Sequence, residues 1–315
     1  MAHLLQPAAE PPTELGRYRI LSAMAGIRVS PLRFGGMSIG QAWAREIKAV
    51  SKEQAFALLD AFVAAGGNFI DTALNYHDGE SEAGIAEWMA QRGNRDEKVI
   101  ATKFTADHKS SVKGKTDWID ILYVHRWEYV TSIEEVMNSL HILGQQGRVL
   151  CLGVSNTPAW VVSAANYYAA AHGNTPFSIY QGRWNVMSRG FEREIIPMAQ
   201  HFAMALAPWA VVGRGKSQTK RTAEELDKTE RLRVLTGERK SEAEIKISEA
   251  LTRVASEHRI DSVTAIAIAY VRAKAKRVFP IVGARKVEHL QDNIRALSIK
   301  LTAKQVDYLD SVIPF

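Results

Sequence analysis

Four residues of this chain belong to types that handle protons, and each stands at or just beyond the end of an apolar, strand-like run: Asp71, Tyr76, Lys103 and His125. The runs read Asn68-Phe69-Ile70-Asp71, continued by Thr72-Ala73-Leu74-Asn75-Tyr76; Val99-Ile100-Ala101-Thr102-Lys103; and Asp120-Ile121-Leu122-Tyr123-Val124-His125. An acid, a phenol, an amine and an imidazole at the ends of three consecutive strands can together protonate a carbonyl oxygen, the chemistry that a hydride-transferring reductase needs. Singly, each has a plainer role: Asp71 as a turn or helix cap, Tyr76 as a packing tyrosine, Lys103 as a solvated strand end, His125 as a satisfied histidine. Their shared placement favours chemistry.

The elements that must position them alternate between strand-like and helix-like runs, the pattern of a parallel sheet with crossover helices. Strands are expected at 31–36, 68–71, 98–104, 120–125, 149–155, 177–184, 204–209 and 278–282. Between and after them, helices are expected from Ser51 to the Gly66-Gly67 stop and at 80–91, 132–146, 158–171, 191–201, 262–274 and 286–296. The first opens on a capping box, Ser51-Lys52-Glu53-Gln54, and carries an apolar stripe of Phe56, Leu59, Phe62 and Val63. Eight such units close a single (β/α)8 TIM barrel whose active site lies at the carboxyl ends of its strands, where the four residues fall. The barrel is expected over 21–315, after a flexible arm at 1–20, with no repeat, low-complexity segment or second domain.

The composition of the 315 residues, 46% hydrophobic and 23% charged, is that of a globular protein with a sizeable core. No apolar run approaches the roughly 20 residues of a membrane span, and the first residues lack the pattern of a signal peptide. The net charge of +6 has no nucleic-acid-binding motif beside it and suits a phosphate-rich cofactor better than nucleic acid. The single cysteine, Cys151, sits in an apolar run, which points to burial and to a reducing, cytoplasmic setting. No metal-ligating cluster or pair of catalytic carboxylates is present for a barrel hydrolase, and no metal site is expected.

At these residues the chain resembles the aldo-keto reductases, and within them the fungal aryl-alcohol dehydrogenase and norsolorinic acid reductase group. The likeness runs from Phe34-Gly35-Gly36-Met37-Ser38 nearly to Asn293. It rests on Asn68-Phe69-Ile70-Asp71-Thr72-Ala73, Tyr123-Val124-His125, Leu152-Gly153-Val154-Ser155, Thr157-Pro158-Ala159-Trp160 and Ala207-Pro208-Trp209. The resemblance implies NADPH bound without a Rossmann domain, consistent with the absence of G-x-G-x-x-G after an early strand. It makes Tyr76 the general acid, Lys103 and Asp71 the pair that lowers the phenol toward the working range, and His125 a donor to the carbonyl oxygen. It also places Ser155, Asn156 and Gln181 at the nicotinamide carboxamide and Trp209 against the nicotinamide face. Gly213, Arg214 and Lys216 fall at the pyrophosphate. Arg285, Lys286, His289 and Asn293 fall at the adenosine end, where Arg285 and Lys286 suit a 2′-phosphate. His289 departs from the Gln or Arg usual there.

Between Lys103 and His125 the pattern is broken. The stretch at 105–118, TADHKSSVKGKTDW, has almost no apolar stripe, so the crossover helix between the third and fourth strands is expected to be shortened or missing. Lys103 and His125 are the residues such a gap would displace. The first reading is therefore an NADPH-dependent reductase of a small-molecule aldehyde or ketone, aryl or polyketide-derived, in fungal secondary metabolism. The alternative is a nucleotide-binding remnant or regulatory barrel with little turnover. Substrate, direction and oligomeric state stay open.

Overall fold

The computed structural model describes residues 9–45, 47, 49–106, 118–212, 241–313 and 315. Ten strands lie among them: Arg19–Ser22 (β1), Ala25–Val29 (β2), Arg33–Gly35 (β3), Phe69–Asp71 (β4), Val99–Phe104 (β5), Ile119–Val124 (β6), Val149–Ser155 (β7), Phe177–Arg183 (β8), Ala205–Trp209 (β9) and Ile281–Val282 (β10). The helices are Lys52–Ala64 (α1), Glu80–Arg92 (α2), Ile133–Gln145 (α3), Ala159–His172 (α4), Ile195–His201 (α5), Glu242–Glu257 (α6), Val263–Lys274 (α7), Val287–Arg295 (α8) and Ala303–Ser311 (α9).

Eight strands pair in parallel in the order β10-β3-β4-β5-β6-β7-β8-β9. A bridge between Leu206 on β9 and Val278 joins the two ends of that sheet. The expected TIM barrel is present. The last strand is shorter than the expected 278–282 because Pro280 has no N–H to give the ladder. Its carbonyl instead accepts from Arg33 at 3.0 Å, and the Phe279 amide donates to Leu206 at 2.8 Å.

Helix starts follow local chemistry. Ser51 accepts from the Gln54 amide and the Gln54 side chain returns the bond, so the expected capping box forms at α1. Ser132 and Ser262 cap α3 and α7 through their side chains. Two helices escaped the sequence reading: α6, opened by a Ser241/Glu244 capping box, and α9, opened by Thr302 and Gln305.

Alternate residues of each strand point inward, and this parity organises the site. Phe69, Ala101, Ile121, Cys151, Ile179, Ala205 and Phe279 form the inner core, together with Leu21, Ala25 and Val29 of the β1–β2 hairpin. Two or four residues further along their strands come Asp71, Lys103, His125, Ser155, Gln181 and Trp209. Outward residues such as Ile70, Leu122, Val124, Leu152, Val154 and Leu206 join the helix layer. Within 1–20, Leu15 is fully buried and β1 begins at Arg19.

Most of the 105–118 stretch lies outside the described residues, and with it the expectation of a shortened helix. The strands it joins nevertheless pair from Ala101–Ile121 to Phe104–Val124. Thr105 ties their ends, its hydroxyl donating to the Arg126 carbonyl at 2.8 Å and accepting from the Arg126 amide at 3.2 Å. Among the described residues no helix is long and apolar enough to cross a membrane, and no group of His, Cys, Asp and Glu is arranged to hold a metal.

Candidate active site

Asp71 is the last residue of β4, Lys103 lies one residue before the end of β5, and His125 follows β6. Tyr76 stands on a turn after β4 that is fixed by its neighbours: the Leu74 amide donates to the Lys103 carbonyl at 3.1 Å and the Tyr76 amide to Ala73 at 3.0 Å. The chain then passes through three left-handed residues, His77 (φ 48°), Asp78 (φ 55°) and Gly79 (φ 95°), before α2. Two non-glycine residues in that region cost energy, and a buried imidazole holds them there. His77 Nδ1 accepts from the Trp43 amide at 3.0 Å, and Nε2 donates to the Met37 carbonyl at 3.1 Å. The Trp43 indole donates to Asp78 at 3.1 Å, stacks on His77 and presents an edge to Tyr76, with ring centroids 6.4 Å apart.

The structure brings all four expected catalytic residues together. Lys103 Nζ donates to Asp71 Oδ2 at 2.8 Å, to the Thr72 carbonyl at 2.6 Å and to the Tyr76 hydroxyl at 3.2 Å. The His125 ring meets the Tyr76 ring edge-on at 6.0 Å between centroids. The sequence reading missed the fifth member, the charged Arg33. Its guanidinium is fully buried inside the barrel, 2.5 Å from Asp71 Oδ1, and Nη1 donates to the Tyr123 hydroxyl at 2.7 Å. The rings of Phe69 and Tyr123 lie 4.5 and 5.0 Å from its carbon centre. Gln181 donates to the same Asp71 oxygen at 3.0 Å.

This environment sorts the protonation states. Burial opposes charge on Asp71, but Arg33, Lys103 and Gln181 together hold its carboxyl below the usual carboxylate range. Burial lowers Lys103 to about 8, with Asp71 resisting the fall and Arg33 adding to it. Burial and then Lys103 lower His125 to about 4, so the ring is neutral near pH 7. Tyr76 differs from expectation: burial, and next the Asp71 carboxylate, push the phenol above its ordinary value, and Arg33 only moderates this. Desolvation of a phenolate inside the barrel, with the Asp71 carboxylate nearby, outweighs the help of the Arg33 guanidinium. Tyr76 is therefore held in its proton-donating form, and Lys103 is the group poised to change charge near neutrality.

The residues expected to hold a cofactor form two sets. Ser155 and Gln181 are buried on adjacent strands and paired in register. Asn156 adopts a left-handed conformation (φ 49°) from which its amide donates to Ser155 Oγ at 2.9 Å and to the His125 carbonyl at 3.3 Å. Trp209 ends β9, half-buried. The second set lies past β10: half-buried Arg285, exposed Lys286 at the N-cap of α8, exposed His289 within that helix, and buried Asn293, which donates to the Gly283 carbonyl at 3.3 Å. Gly213, Arg214 and Lys216 lie outside the described residues. The donor chemistry fits a dinucleotide: amide and hydroxyl groups beside the tetrad, cations at a helix start with no side-chain cap. His125 Nδ1 is buried without a hydrogen-bond partner among the described residues, beside the place where a bound molecule would meet Tyr76.

A parallel eight-stranded barrel with a Tyr-Lys-Asp-His cluster at its carboxyl ends is the architecture of a carbonyl–alcohol oxidoreductase. The Aldo/keto reductase family model matches residues 31–314, and the chain belongs to that family. A putative aryl-alcohol dehydrogenase of Saccharomyces cerevisiae is 60% identical, with 100% of this chain and 91% of the relative covered. That alignment runs over 343 positions against the 315 residues here, so the relative carries segments that this chain lacks. An aryl-alcohol dehydrogenase (NADP+) of Phanerodontia chrysosporium is 47% identical, with 98% and 89% covered. The norsolorinic acid reductase of Aspergillus flavus is 44% identical, with 99% and 85% covered.

Proposed function

We propose that the chain is an NADPH-dependent reductase of aryl or polyketide-type aldehydes and ketones, with Tyr76 as proton donor, acting in secondary metabolism in the cytoplasm. The observation that carries this reading is the triple engagement of Lys103 with Asp71, Thr72 and the Tyr76 hydroxyl inside a buried cluster. The cofactor assignment is supported by the fit of Ser155, Asn156, Gln181, Trp209, Arg285, Lys286, His289 and Asn293 to a dinucleotide, and by the NADP+ in the name of the Phanerodontia relative. The substrate class rests on the names of the relatives and on the aromatic surface that Trp43 presents beside Tyr76. The cytoplasmic setting rests on buried Cys151, whose thiol burial raises to about 11.

When bound, a reduced nicotinamide supplies hydride to the carbonyl carbon. The residues handle the oxygen. Tyr76 gives its hydroxyl proton as negative charge grows there, and neutral His125 is placed to hydrogen-bond the same oxygen. The phenolate left behind faces Lys103 at 3.2 Å. Lys103 returns a proton to it and is itself reprotonated before the next turnover.

The test is NADPH oxidation with a panel of aryl aldehydes, with Tyr76→Phe in parallel. Loss of the general acid is expected to cut turnover by about 10²–10⁴-fold while leaving NADPH binding, read by fluorescence, intact. Turnover undiminished in Tyr76→Phe would reject Tyr76 as the donor. NADPH binding without turnover in the parent protein would favour a barrel with little activity.

A further inference from the structure

Arg33 occupies a position where an apolar side chain would complete the inner core, since it sits between Phe69 and Tyr123 with no exposed surface. A guanidinium is always charged and cannot shed its proton under ordinary conditions. Its hydrogen-bond needs are only partly met: Nη1 reaches Tyr123, Nη2 makes an ion pair with Asp71 off the line of a hydrogen bond, and Nε has no partner among the described residues. Such an arrangement is a poor structural staple. What it does is divide a carboxylate. Oδ1 of Asp71 serves Arg33 and Gln181, and Oδ2 serves Lys103.

We infer that Arg33 is a positioning residue for proton delivery: by claiming Oδ1 of Asp71 it leaves two cations on one carboxylate, and Lys103 is the one able to release its proton. This deepens the proposed function and rests on it where Tyr76 is concerned. Every group facing Lys103 fits the role. From β4, Asp71 keeps the proton on, and Glu82 of α2, reached through Thr102, adds a weaker pull in the same sense. From β3, Arg33 drives the proton off. Tyr76 on its turn and Tyr123 of β6 are phenols that burial keeps protonated, and His125 after β6 is neutral. Remove Arg33 and Lys103 becomes the only cation on Asp71, whose Oδ1 still accepts from Gln181. It then holds its proton more tightly and stays protonated to higher pH.

The test reads Lys103 directly. Protein carrying ¹³C-labelled lysine is titrated by NMR, with the Lys103 signal assigned by its loss in Lys103→Arg. The parent midpoint is expected near 8, and Arg33→Met is expected to raise it by about one pH unit or more, the usual effect of one neighbouring charge. Arg33→Gln, which keeps a donor for Tyr123, is expected to do the same, whereas Arg33→Lys, which keeps the cation, holds the midpoint near that of the parent. The alkaline limb of kcat/KM for reduction is expected to move with the NMR midpoint. Coincident midpoints in the parent, Arg33→Met and Arg33→Gln would overturn the inference, because a purely structural arginine would alter stability and leave Lys103 where it was. If neither neutral variant folds, a parent midpoint near the ordinary lysine value of about 10.4 overturns it. An NMR midpoint that moves while the rate profile stays fixed would keep Arg33's hold on Lys103 and reject instead the Tyr76–Lys103 relay.

Discussion

Replacing Asp71 with Asn keeps the size of the side chain and removes the one negative charge between Arg33 and Lys103, whose side chains are fully buried. Removing one partner of a buried ion pair costs about 3–5 kcal/mol, and here the cost depends on pH in a way the geometry dictates. Arg33 stays charged at every accessible pH. Lys103 can escape by losing its proton. In the parent it does so near 8, and Asp71 is what holds it that high, so in the variant it deprotonates at a lower pH. Above about 8 both proteins carry a neutral Lys103, and only the stranded Arg33 separates them. Below that, the parent gains protonation energy that the variant lacks, at about 1.4 kcal/mol per pH unit. The sign follows: the penalty is greatest in acid and shrinks as pH rises through 8. We expect a loss of about 3–5 kcal/mol at pH 6 and about 2 kcal/mol less at pH 9. Guanidinium unfolding at both pH values, followed by the fluorescence of the seven tryptophans, measures this. A penalty equal at both pH values, or one that grows with pH, would refute the description of Lys103 as a buried amine held protonated by Asp71.

Two further outcomes test the same site. A Cβ on Gly153 would lie 2.6 Å from the Tyr123 ring, so Gly153→Ala is expected to displace the ring that holds Arg33 and to cost about 1–3 kcal/mol; an unchanged thermal midpoint would contradict that packing. Because burial lowers His125 to about 4, kcat/KM is expected to stay flat as pH falls from about 7.5 to about 5.5, and an acid limb near the ordinary histidine value of about 6.5 would show that the ring is not desolvated.

Much of the site was legible because strand parity is a property of sequence. Asp71, Lys103 and His125 end apolar runs, and an inward residue at a strand end is exposed to its neighbours in a closed barrel whatever the loops do. Ser155 and Gln181 were placed by the resemblance, and they lie in register on adjacent strands. Arg33 has the same parity within the expected 31–36 strand, and a charge in an apolar run was a visible signal, but its partner lies 38 residues away in sequence and its reach depends on barrel closure. The β1–β2 hairpin went unread because its turn, at Ala23-Met24, carries no glycine or asparagine. The α6 capping box was readable and was masked by the charged stretch before it. The behaviour of Tyr76 was not readable, because the balance between burial and the neighbouring charges is set by three dimensions.

The hairpin has a consequence for the opposite face. With Leu21, Ala25 and Val29 joining Phe69, Ala101, Ile121, Cys151 and Ile179 in one buried cluster, the barrel is closed by packed side chains at its amino end. The carboxyl ends of the strands, where Asp71, Tyr76, Lys103 and His125 lie, are thereby left as the one face of the barrel on which loops can build a binding surface.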